Sequence, residues 1–187
     1  MDIVTLGTVS LLFLGLVSQK ILQKRAEKSS QTFFFLAVLL VVISYVVLVY
    51  LQYLAWQEAP PPARYLVPPY QSLEYVFGYQ FARFGVFYLI SLGISGLFLW
   101  GTWLLDKKFS NRLFYPGERY LGGMTIFLLG NPAWDYLWMY YLGGLLLLAF
   151  LASVISEKVL KKDTRLPLKW FWIPVAIIGI IIHEAFL

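Results

Sequence analysis

The stretch Thr32–Trp56, TFFFLAVLLVVISYVVLVYLQYLAW, decides the fold: 25 residues pass without one charge. A helix needs about 20 mostly apolar residues to cross a hydrocarbon core about 30 Å thick, because each residue rises about 1.5 Å. The same ruler, moved outward, finds Ile3–Leu22 before this run. After it come a long span at Tyr75–Leu105, a short one at Pro116–Gly130, then Tyr136–Ser156 and Lys169–Leu187. The proline-rich stretch Glu58–Pro69 separates the second span from the third, and Asn131-Pro132 opens the turn after the fourth. The sequence therefore predicts an all-α integral membrane protein with six transmembrane helices. It reads as one membrane domain over residues 1–187, with no soluble domain.

Composition agrees. Apolar residues make up 60% of the chain and charged residues 13%, against about 25% charged in an ordinary soluble domain. A water-soluble enzyme and a disordered chain are both excluded. With no cysteine there is no disulfide scaffold, thiolate metal site or cysteine nucleophile. His183 is the single histidine, so neither a metal site nor a cofactor is expected. No phosphate loop, dinucleotide fingerprint or Ser-His-Asp set is present.

Charge sets the orientation. Lys20, Lys24, Arg25 and Lys28 lie in the first connection, and Lys107, Lys108, Arg112 and Arg119 in the third. Lys158, Lys161, Lys162, Arg165 and Lys169 lie in the fifth. Thirteen of fifteen basic residues thus fall in alternate connections, leaving Arg64 and Arg83 on the other side. By the positive-inside rule those connections are cytoplasmic and both termini are outside. The net charge of +5 is a topology signal, and no nucleic-acid partner is expected. The basic residues of the first span follow its apolar run, so it reads as a retained helix and not a cleaved signal.

Trp56, Tyr65, Tyr70, Tyr75, Trp134, Tyr136 and Trp138 read as an outer aromatic belt, with Trp170 and Trp172 as an inner one. Arg83 lies 22 residues before Leu105, about 33 Å along a helix, which puts it at the outer interface with Gln71, Glu74, Tyr79 and Gln80. The small residues Gly93, Gly96 and Gly101, with Ser91 and Ser95, and the pair Gly143-Gly144 predict close helix contacts. His183-Glu184 lacks the second histidine of a metalloprotease helix, so the pair reads as frayed-end residues.

The fourth span is the unusual one. From Pro116 to Gly130 the chain offers 15 residues, about 22 Å of helix against a core of about 30 Å. Pro116 suits a first helical position. The helix is thus expected to begin inside the lipid plane, with Glu118 in its first turn. The helix amino terminus favours the carboxylate there and burial favours the acid. Glu118 is the candidate catalytic acid or base, with a capping role as the alternative, and Arg119 is placed to pair with a lipid phosphate.

From this span onward the order of features resembles the prepilin and preflagellin peptidases, a family of intramembrane aspartic peptidases. Gly117-Glu118 stands where that family has Gly-Asp, Leu121 follows three residues later, and Gly130 closes the helix before a short turn. Gly143-Gly144, the basic loop Glu157–Lys169, and Pro167, Pro174 and Gly179 continue the order. The resemblance covers roughly residues 110–182, and it implies six spans in a prokaryotic cytoplasmic membrane. Both catalytic aspartates are replaced: the second by Glu118, and the first by the acid-free segment Val17-Ser18-Gln19-Lys20. Peptide hydrolysis of this kind needs one carboxylate to activate water and one to protonate the leaving group.

The resulting expectation is a pseudoenzyme. Ser18, Gln19, Gly117, Glu118 and Arg119 would form a cytoplasmic-side pocket for a membrane-embedded partner, a pilin-like or other helix, or a lipid. Alternatives are a membrane enzyme using Glu118 on a lipid or peptide, and a small transporter or accessory subunit of a membrane complex. Asp163 is the acid that could fold back to restore a pair.

Overall fold

The computed structural model describes residues 3–21, 26–108, 117–159 and 169–186, with some side chains near the helix ends excluded. Among them every regular element is helical: α1 (Ile3–Ile21), α2 (Ala26–Glu58), α3 (Leu73–Gln80), α4 (Val86–Lys108), α5 (Glu118–Leu128), α6 (Leu137–Val159) and α7 (Lys169–Phe186). A π-helical turn, Phe81–Gly85, joins α3 to α4 without a break, so the described residues form six rods. They fall on the six expected apolar runs.

α5 is the centre. It packs against α1, α2, α4, α6 and α7, and it is shorter than its apolar run, with 11 residues or about 16 Å. Apart from half-buried Arg119 and Tyr120, the chain from Gly117 to Asn131 is buried. Gly117 caps the helix at φ 85°, a left-handed conformation that glycine adopts without strain.

Close approach at this centre depends on glycines other than those singled out above. A Cβ on Gly122 would meet Phe98 and Trp172 at 2.8 and 2.9 Å, one on Gly123 the Ser95 hydroxyl at 3.1 Å, and one on Gly130 would overlap the Ser91 hydroxyl. Ser91 donates to the Phe127 carbonyl at 3.1 Å and Ser95 to the Gly123 carbonyl at 2.8 Å. The two serines are one turn apart on α4, and so are their acceptors on α5, which fixes the antiparallel register of the pair. Gly93, Gly96, Gly101, Gly143 and Gly144 correct the expectation: a Cβ on any of them meets nothing within 4 Å. None of these glycines makes a close helix contact.

Polarity runs inside out. Ser91 and Ser95 are 0% exposed, while Leu89 and Leu97 on the same helix are each 61% exposed. Exposed leucines, isoleucines and valines also cover the outer faces of α2, α6 and α7. Two rods, Lys28–Glu58 and Leu73–Lys108, are long and apolar enough to cross a membrane, and their most apolar windows are only 17% and 22% buried.

Three polar contacts bring the chain ends together. Asn131 caps the turn Pro132–Trp134 by accepting from the Ala133 N–H at 3.1 Å, and its amide donates to Thr5 at the start of α1 at 3.2 Å. Trp134 Nε1 donates to Glu184 Oε1 at the end of α7 at 3.1 Å. The first turn of α1 and the last turn of α7 therefore share one end of the bundle, the terminal end. Because neighbouring rods alternate in direction, the helix ends that carry Lys20, Lys28, Lys107, Lys108, Arg119, Lys158 and Lys169 fall at the other end, the basic end.

Candidate functional site

Glu118 opens α5 at the basic end. Its carboxylate sits in the first turn, where the backbone N–H groups and the helix dipole favour negative charge. It is 2% exposed and engages in an interaction of its own. Gly117 is buried beside it. The Arg119 guanidinium lies over the Tyr120 ring at 5.1 Å. Ser18 and Gln19 lie in the last turn of α1, one turn beyond Gly15, whose Cβ position faces Met124 of α5 at 3.0 Å. Their backbones are thus near the level of the first turn of α5, and their side chains lie outside the described residues, as does Asp163.

A peptidase pair needs a second carboxylate against Glu118. In the α4–α5 register fixed by Ser91 and Ser95, Glu118 is level with Trp100, which is exposed, and the buried residue of α4 nearest that level is Thr102. Asp106 stands six residues beyond Trp100, about 9 Å along the helix. Glu58, Glu74, Asp135 and Glu184 sit toward the terminal end. Among the described residues no group of three His, Asp or Glu is placed to hold a metal ion.

The deeper polar groups are committed to packing. The Thr125 and Tyr141 hydroxyls meet at 2.9 Å, and Tyr141 Oη donates to the Trp172 carbonyl at 3.0 Å. This node ties α5, α6 and α7 together, with the Trp172 ring edge-on to Phe98 at 5.2 Å. Trp172 and Trp134, read from sequence as belt residues, are 2% and 0% exposed and belong to the core. Arg83 is exposed and donates to Tyr79 Oη at 2.7 Å, whereas Gln80, grouped with it in the sequence, is buried and donates to Gln52 Oε1 at 3.0 Å. Trp56 packs on the Tyr75 and Tyr79 rings.

Two cavities open on the bundle surface. One, of about 390 Å³, lies between α1 and α2 over Thr8 and Tyr88. The larger, of about 1040 Å³, lies between α6 and α7, with Asp135, His183 and Glu184 at its mouth. Sequence reasoning missed this second site. His183 and Glu184 are not frayed: Glu184 is held by Trp134, and Asp135 and Tyr136 are fixed at φ 36° and 60°. The available signal was the Pro132–Asp135 turn, which brings an acid over the end of α7.

No family model matches the chain, and neither a curated protein nor a solved structure matches it.

Proposed function

We propose that this chain is a six-span membrane protein, laid out like a prepilin peptidase, that binds a membrane-embedded partner without cleaving it. The partner is a pilin-like or other membrane helix, or a lipid. The inverted polarity of the bundle favours lipid as its solvent, since exposed leucine faces are stable only where water is absent. The charge split favours a basic end in the cytoplasm and a terminal end outside, and the resemblance favours a prokaryotic cytoplasmic membrane.

One observation carries the non-peptidase reading: the last turn of α1, near the level of Glu118, is the acid-free segment Ser18-Gln19-Lys20, where the resembled family has its first aspartate. Acid and base must flank the scissile bond, and Glu118 level with an acid-free segment cannot perform the family's two-carboxylate exchange in the usual way. Purified protein incubated with a prepilin-like substrate is expected to leave it intact, while photo-crosslinking captures it. Cleavage that disappears in Glu118→Gln would overturn the reading.

A further inference from the structure

The groove between α6 and α7 has features that helix packing does not explain. Gly144 and Gly179 line it from opposite walls, and a Cβ on either meets nothing within 4 Å. Glycine inside a helix costs about 1 kcal/mol relative to alanine, and here no close helix contact offsets that cost. What the two glycines leave is space, bounded by apolar side chains such as Leu137 and Ile182.

Length limits what can fill it. The groove runs from His183 to Val175 on α7 and from Leu137 to Gly144 on α6, about 12 and 10 Å by helical rise. It stops near the hydrogen-bonded node of Tyr141 and Trp172. One leaflet of a hydrocarbon core is about 15 Å deep, so the groove accommodates a chain entering from one leaflet. A spanning partner helix would need a seam of about twice that length.

The mouth adds the headgroup chemistry. Asp135 and Glu184 supply two carboxylates and His183 an imidazole. The carboxylates suit an ammonium group, and an imidazole N–H suits a phosphate oxygen. Resting on the membrane-binding reading above, we propose that this groove holds one acyl chain of an aminophospholipid of the phosphatidylethanolamine type. Its ammonium lies at Asp135 and Glu184, and its phosphate at His183.

The full-length protein would be reconstituted in nanodiscs of phosphatidylethanolamine and phosphatidylglycerol, and retained lipid read by native mass spectrometry. The wild type is expected to retain one phosphatidylethanolamine. Gly144→Leu and Gly179→Leu, whose Cβ atoms meet no protein atom and whose side chains extend into the groove, are expected to lower retention about tenfold or more, while Gly93→Leu on α4 leaves it unchanged. Asp135→Asn with Glu184→Gln keeps the turn and the Trp134 acceptor, and is expected to abolish the preference over phosphatidylglycerol. Retention unaffected by both leucine substitutions, or a preference unaffected by the charge removal, would overturn the assignment. Loss of the lipid result alongside captured substrate helix would leave the membrane-binding reading standing. Substrate cleavage would remove that reading while leaving the lipid result intact.

Discussion

Gly130 and Gly93 make a contrasting pair. Gly130 lies under the Ser91 hydroxyl, with the Phe127 carbonyl 3.1 Å from where its Cβ would be, whereas Gly93 faces open space. Gly130→Ala must push α4 from α5 and is expected to cost about 1–3 kcal/mol, as overpacked cores do. Gly93→Ala removes a helical glycine at no steric cost and is expected to stabilise by up to about 1 kcal/mol. Thermal unfolding in detergent checks both, and Ser91→Gly combined with Gly130→Ala is expected to recover part of the loss. Tyr141→Phe removes the hydroxyl shared by Thr125 and Trp172, and a drop of about 1 kcal/mol is expected in the same assay. None of these distinctions was legible in the sequence. What a glycine faces depends on the rotation of its helix about its axis, and that rotation is fixed here by Ser91 and Ser95 reaching carbonyls about thirty residues away.

At the level of elements, the helices were legible because their apolar runs are long and the chain between them is punctuated by charges and prolines. The run Thr32–Trp56 became the middle of α2, and the break after Gly130 became a capped turn. The short fourth span was legible as a length deficit. Its place at the centre was not, since it takes α1, α2, α4, α6 and α7 together to bury nine of its eleven residues. Trp134 was misread for a related reason: the turn after Asn131 folds inward, toward Thr5 and Glu184, and carries the indole with it. Glu118 and Gly117 were found from sequence, while the α6–α7 groove was missed because its walls are about forty residues apart. Rotation of α4 yields a prediction suited to a chain without cysteines. Spin labels at Leu97→Cys and Trp100→Cys are expected to show high accessibility to lipid-dissolved oxygen, and one at Thr102→Cys, 5% exposed in the wild type, low accessibility. Equal accessibility at all three sites would contradict the packing of α4 against α5.

For the whole molecule, burial and charge give two independent arguments. Leucine outside and hydroxyl inside is the arrangement a bilayer stabilises, because backbone and side-chain polar groups must find partners within the protein. Thirteen basic residues at alternate connections of the sequence support the proposed orientation of that arrangement. Neither argument depends on Glu118, so membrane insertion and the absence of peptidase chemistry stand or fall separately.

The most direct test of the central claim is sidedness in intact cells. Single cysteines at Tyr65, Ala133 and Lys107, all exposed positions, would be challenged with a membrane-impermeant maleimide. Labelling of Tyr65→Cys and Ala133→Cys with protection of Lys107→Cys until the membrane is permeabilised is the result expected of a bundle whose terminal end is outside. Labelling of all three in intact cells, or of Lys107→Cys alone, would contradict it.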